Sequence, residues 1–197
     1  MTIPPLFRID EFFINEKVNF LKFVNEYKIF EKNGEEIGAV RQKLTTGDKV
    51  LRMLLSKKML PFDMSIVDKS EKVLTRLKRG WTFWLSQIEI LDEHDRKIGH
   101  IKQKFTLLKP KLEIYDEQDL LLAVIQGNWI AWNFEITSPE ENSIGVINKK
   151  WSGIGKELFT TADNYHVVIN REYAENTNKM IILSAAIAID MIYKENK

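Results

Sequence analysis

Hydrophobic and polar residues alternate with a period of two along most of the chain, and the alternation comes in units of fixed length. Tyr27-Lys28-Ile29 is followed, eight residues after the Ile, by Ile37-Gly38-Ala39-Val40 and then Arg41-Gln42-Lys43. Ile88-Glu89-Ile90 leads at the same offset to Ile98-Gly99-His100-Ile101 and Lys102-Gln103-Lys104, and Phe134-Glu135-Ile136 to Ile144-Gly145-Val146-Ile147 and Asn148-Lys149-Lys150. Two weaker copies join Met64-Ser65-Ile66 to Leu74-Thr75-Arg76-Leu77, and Leu112-Glu113-Ile114 to Leu122-Ala123-Val124-Ile125. Short polar stretches such as Glu31-Lys32-Asn33-Gly34 and Asp92-Glu93-His94-Asp95 separate the two arms of each copy. Alternating arms around an Asn, Asp or Gly turn predict β-hairpins. Phe12 to Phe23 adds one or two strands in front, and Tyr165 to Ile169 adds one behind. The pattern predicts a mainly β chain of about twelve antiparallel strands within about 11–170, in up-and-down order. At that count, closing the sheet into a barrel removes its exposed edges.

A different pattern follows. Met180 to Tyr193 is almost wholly apolar, interrupted by Ser184 and Asp190. It is shorter than the roughly 20 residues that span a bilayer. As a helix over about 177–194 it has no polar stripe, so it must be surrounded on all sides. A membrane, another chain or this chain's own barrel would each serve. A twelve-stranded barrel is wider than its side chains fill, and a helix of about 22 Å would occupy its axis. The buried central helix is the preferred reading. The Gly at positions 38, 99 and 145 then marks where a strand bends or touches that helix.

Composition bounds the function. The 197 residues carry 29 Lys+Arg against 28 Asp+Glu, which argues against a nucleic-acid binder driven by bulk charge. Cys is absent, excluding disulfides, thiolate metal sites, Cys nucleophiles and palmitoylation. The N-terminus lacks a basic stretch followed by an apolar one, so a cytoplasmic rather than secreted protein is expected. No linker composition divides the chain, and 1–197 reads as one domain. No nucleophile elbow, phosphate-binding loop or HExxH pair appears, so an enzyme is not expected.

The segment Ile144-Gly145-Val146-Ile147-Asn148-Lys149-Lys150-Trp151-Ser152-Gly153, the run Thr160-Thr161-Ala162-Asp163-Asn164-Tyr165, and Ile189-Asp190 within the apolar stretch together resemble the phospholipid scramblase family. At greater distance the chain resembles the tubby C-terminal domain and its LURP-one relatives. The resemblance implies a twelve-stranded barrel around a hydrophobic C-terminal helix. It also implies contact with membrane phospholipids, calcium-linked scrambling in some members and phosphoinositide binding in the tubby branch. The Pro-rich N-terminal region and Cys cluster of the animal members are missing here.

Three groups of candidate residues result. In register on the second arms, Arg41, Lys43, Lys102, Lys104 and Lys150 should point outward near one end of the barrel and, with Lys149, could hold anionic headgroups at a membrane surface. The family's proposed calcium segment matches Thr161 to Glu172, where Asp163 and Glu172 are the two carboxylates at ligand positions. The competing reading is a turn leading into the last strand. Asp190, Trp151 and Gly145 are structural candidates: Asp190 needs a partner inside an apolar helix, and Trp151 suits packing at the barrel rim. The expected function is peripheral binding of anionic phospholipids, with lipid scrambling as an extension; the alternative is a soluble protein-interaction barrel.

Overall fold

The computed structural model describes residues 3–19, 24–43, 60–82, 85, 87–104, 111–128, 130–149, 164–173 and 176–194, with the side chains of 16–19, 24–26, 43 and 190–194 undescribed. A single 3₁₀ turn, Pro5–Arg8, precedes twelve strands: β1 Glu11–Asn19, β2 Val24–Glu31, β3 Glu36–Lys43, β4 Phe62–Asp68, β5 Val73–Arg79, β6 Gln87–Asp92, β7 Lys97–Lys104, β8 Lys111–Asp116, β9 Leu121–Asn128, β10 Asn133–Thr137, β11 Ser143–Asn148 and β12 Asn164–Ile169. Helix α1, Thr177–Lys194, follows. Every strand pairs antiparallel with its sequence neighbours, and β1 pairs with β12 to close the barrel. The twelve-stranded barrel with its C-terminal helix agrees with the sequence reading.

The eight-residue offset has a physical origin. In all five hairpins the register shifts one residue after the turn. The residues left over are Ile37, Leu74, Ile98, Leu122 and Ile144, and those that resume pairing are Gly38, Thr75, Gly99, Ala123 and Gly145. An extra residue of this kind is a β-bulge, which bends the strand and increases its twist. The residue after the bulge is always small because the chain packs closely there. A Cβ on Gly99 would stand 2.5 Å from the Tyr115 carbonyl oxygen and 3.0 Å from Ile181 Cγ2 of α1. Gly38 instead abuts Val67 and Leu6, and Gly145 abuts Val168 and Ile169. Of the three glycines, Gly99 is the one that meets the helix.

The turns repeat as faithfully. Asp95 donates its N–H to the Asp92 carbonyl (3.1 Å), Asp92 donates to Arg96 (2.9 Å), and Asp95 is left-handed at φ 62°. The same pair of bonds and the same positive φ recur at Gly34, Glu71, Asp119 and Glu141. Asp68, Asp92 and Asp116 each accept two backbone N–H bonds on Oδ1, and Ser138 Oγ takes that role in the fifth turn. Acidic and small polar residues are therefore built into the turn chemistry.

These five turns share one end of the barrel, called here the turn end. The 3₁₀ turn and the start of α1 lie at that end, since Ile169 donates to the Asp10 carbonyl at 2.7 Å and Gly99, two residues into β7, faces Ile181. The other end, where β3, β5, β7, β9 and β11 finish, is the open end. Helix α1 runs between them along the interior, with Met180 to Ile189 all buried. Ser184 Oγ meets Thr75 Oγ1 at 3.2 Å, and Tyr165 Oη donates to the Ile187 carbonyl at 2.8 Å. No helix among the described residues is long and apolar enough to cross a membrane.

Candidate functional site

The basic residues of the second arms form neither one patch nor one register: Lys149 matches Gln42 and Gln103, while Arg41 and Lys102 match Asn148. Arg41 lies on β3, Lys102 and Lys104 on β7, and Lys149 one residue past β11. Each of these strands is the fourth on from the last, one third of a twelve-stranded circumference. They form a ring around the barrel, in which Arg41 and Lys102 reach back toward the turn-end carboxylates Glu71 and Asp119 (Lys102 Nζ to Asp119 Oδ1 3.9 Å), whereas Lys104 and Lys149 lie at the open end.

Each basic group sits in its own surroundings. The Arg41 guanidinium faces Glu71, with Nη2 at 2.6 Å from Oε1 and Nε at 3.2 Å from Oε2, and that bond holds the Glu71 carboxyl below its usual range. Lys104 and Lys111 share one carboxylate, Glu113, at 3.0 and 3.1 Å. Burial works to raise the Glu113 pKa, but hydrogen bonds from Tyr115, Lys104 and Lys111 outweigh it and leave the group ionised. Tyr115 donates to Glu113 at 2.5 Å, which pushes its own pKa up to about 12. The Lys102 ammonium lies 4.7 Å over the Tyr115 ring, and that of Lys149 4.8 Å over Trp132. Both are cation–π contacts. Lys43 is placed only as the last residue of β3, and Lys150 falls outside the described residues.

His100 is a participant that sequence reading passed over. It is buried on the outer face of β7 and stacks on Tyr115 at 4.9 Å. Its Nε2 is 3.3 Å from Asp119 Oδ1, without the alignment of a hydrogen bond. Burial lowers its pKa, Lys97 and Lys102 add to the effect, and Asp119 and Glu89 oppose it. His166 is lowered as well, chiefly by burial and against the pull of Glu11. The unfolded chain thus takes up these protons more readily than the folded one. Stability is full above the ordinary histidine value of 6.5 and declines as pH falls below it toward the folded values. Melting temperatures at pH 7.5 and 5.5 should differ accordingly, and His100→Gln should shrink the difference; an unchanged difference in that variant would remove His100 from the explanation.

The calcium segment is mostly strand. Asn164–Ile169 forms β12, with Tyr165, Val167 and Ile169 in the core. Glu172 is exposed in the turn beyond β12, while Asp163 lies outside the described residues. Among the described residues no group of three His, Asp or Glu side chains is placed to hold a metal ion. Trp151 also lies outside them, as does the side chain of Asp190; Gly145 is the residue that resumes pairing after the Ile144 bulge.

One concave feature adjoins the ring. Between the open-end tips of β4, β5 and β6 is an open groove of about 890 Å³, walled by Phe62, Lys78, Arg79, Trp81 and Leu85 together with Asp63 and Glu89. Arg79 is buried against the Phe62 ring at 4.6 Å and donates to the Leu60 carbonyl at 2.8 Å. Trp81 and Leu85 are exposed.

Comparison with known proteins decides the relationship. The family model described as Scramblase matches residues 3–196. The chain belongs to the scramblase family. Phospholipid scramblase 2 of Homo sapiens is 38% identical over 64 residues, a match covering 32% of this chain and 21% of that relative. The barrel of this scramblase-family protein is also similar to a crystal structure of a protein from Arabidopsis thaliana. That likeness has a TM-score of 0.59 at 10% identity, over 100% of this chain and 99% of the other, and reflects a shared fold.

Proposed function

We propose that this scramblase-family protein is a peripheral binder of anionic membrane phospholipids, holding headgroup phosphates with Lys and Arg side chains of the ring around the barrel. The observation that supports it most is the register shared by two strands: Arg41 of β3 and Lys102 of β7 each stand three residues past the Gly that follows the bulge, and Lys43 and Lys104 each stand five past it. Each such charge contributes about 1 kcal/mol of attraction near an anionic leaflet. Lys104 and Lys111 together outnumber the one carboxylate they share, which leaves a net positive charge there.

Charge reversal at Lys102 and Lys104 to Glu is the direct test. Flotation with phosphatidylserine-containing vesicles at low salt should fall at least about tenfold, and raised salt should weaken binding of the unaltered protein. Binding indifferent to both changes would contradict the proposal. Lipid movement between leaflets would need a route other than the barrel axis while α1 remains seated, because Met180 to Ile189 fill the interior.

A second reading, a protein-interaction barrel without lipid binding, is favoured by the acid partners of the ring, such as Glu71 for Arg41 and Glu113 for Lys104. Capture of a protein partner without membranes, together with failure to float on any anionic vesicle, would support it.

A further inference from the structure

Counting charges by barrel end exposes a strong asymmetry hidden in the near-neutral total. The turn-end segments 31–36, 68–72, 92–97, 116–120 and 138–142 hold thirteen Asp/Glu and five Lys/Arg. At the open end, the two positions of each strand nearest that end hold Lys43, Lys78, Arg79, Lys104 and Lys111 against one carboxylate, Asp63. The molecule is an electrical dipole along its axis, negative at the turns and positive at the open end.

Exposed apolar residues follow the same division. Of the four large exposed hydrophobic side chains among the described residues, Trp81 (51%), Leu85 (40%) and Ile130 (78%) sit in the links at the open end. The fourth, Leu120, stands at the turn end beside Asp116, Glu117 and Asp119. Amphipathic Trp and apolar Ile and Leu beside Lys are what a bilayer interface accommodates.

Geometry selects the orientation. Lys78 on β5, Lys104 on β7, Lys111 at the start of β8 and Lys149 just past β11 stand at different angles around the open end, and a membrane plane across the axis reaches all of them at once, which one along the barrel wall cannot. We infer that the barrel docks end-on, its open end against an anionic bilayer, with Trp81, Leu85 and Ile130 entering the interface and Lys78, Lys104, Lys111 and Lys149 at phosphate level. The turn end faces away, where its carboxylates are kept from lipid phosphate. The groove beside Phe62 and Trp81 then opens onto the lipid surface. This orientation rests on the lipid-binding reading above and adds to it which face binds and which residues insert.

The absence of Cys makes the test clean, since a single introduced Cys is the only site that a thiol label can take. Ile130→Cys, Leu85→Cys and Leu120→Cys alter exposed side chains and should leave folding intact. Each would carry a nitroxide, and collision with oxygen and with an aqueous relaxant would report depth in phosphatidylserine-containing vesicles. Labels at 130 and 85 should be immersed and the label at 120 should remain aqueous. The pair Trp81→Ser with Ile130→Ser should lower vesicle partitioning about tenfold, in line with lost apolar insertion. A protein that binds vesicles with the 130 label aqueous, or with the 120 label immersed, would overturn the end-on orientation while leaving headgroup binding in place. Failure of the unaltered protein to bind such vesicles at low salt would overturn both.

Discussion

Replacing Gly99 by Ala is expected to destabilise the protein by about 2–3 kcal/mol, because the added carbon has no space on either side. It would stand 2.5 Å from the Tyr115 carbonyl oxygen, a backbone atom held in the β7–β8 ladder, and 3.0 Å from Ile181 Cγ2. Neither neighbour moves without cost: one belongs to the sheet and the other to the helix that fills the barrel. At this chain length the loss corresponds to a melting temperature lowered by about 5–10 °C. Shortening Ile181 to Val alongside Gly99→Ala should return part of the loss, since it relieves the helix contact and leaves the carbonyl clash. Equal melting temperatures for Gly99→Ala and the unaltered protein would contradict the close approach of β7 to α1. The same substitution at Gly80, whose surroundings are open within 4 Å, should cost far less.

An effect of similar size is expected at the turn end, where α1 enters. Lys179 is only 1% exposed, yet it carries an ammonium that lies 2.6 Å from Asp10 Oδ1 and 3.2 Å from the Arg8 carbonyl. Its own backbone N–H is capped by Asn176 Oδ1 at 3.1 Å. This pair ties the helix to the chain just before β1. Asp10→Asn should cost about 3–5 kcal/mol by leaving the buried ammonium without its counter-charge. Asp10→Asn combined with Lys179→Met removes both charges, keeps most of the volume, and should recover much of that loss. Chemical denaturation of the two single variants and the double variant measures the coupling. Additive losses would mean that the two groups do not act as a pair.

The barrel was legible because its hairpins obey one rule. A bulge one residue past each turn adds a position to the second arm, so Ile29 and Ile37, or Ile90 and Ile98, stand at a constant spacing that the eye finds as a repeat. The central helix was legible because a run without a polar stripe has few places to go. What the repeat could not convey is angular position. Residues in the same register of β3, β7 and β11 look like one cluster on paper, whereas the three intervening strands carry each a third of the way around the barrel.

Lys179 escaped notice for a related reason. Beside an apolar run a lysine ordinarily marks the solvated flank, and its partner is 169 positions away. His100 looked isolated because its environment comes from Tyr115 on the next strand and Asp119 in the next turn. The charge asymmetry was present in the turns from the start, since Asp68, Asp92 and Asp116 are there to accept backbone N–H groups. It became visible only once strand direction assigned every turn to the same end.

Vesicle partitioning of the intact protein, compared between phosphatidylcholine alone and phosphatidylcholine with phosphatidylserine at low and high salt, bears most directly on membrane binding. Binding should require the anionic lipid and should drop steeply as salt shortens the screening length from about 30 Å at 0.01 M to about 8 Å at 0.15 M. Equal affinity for the neutral and anionic vesicles, or no binding to either at low salt, would contradict it.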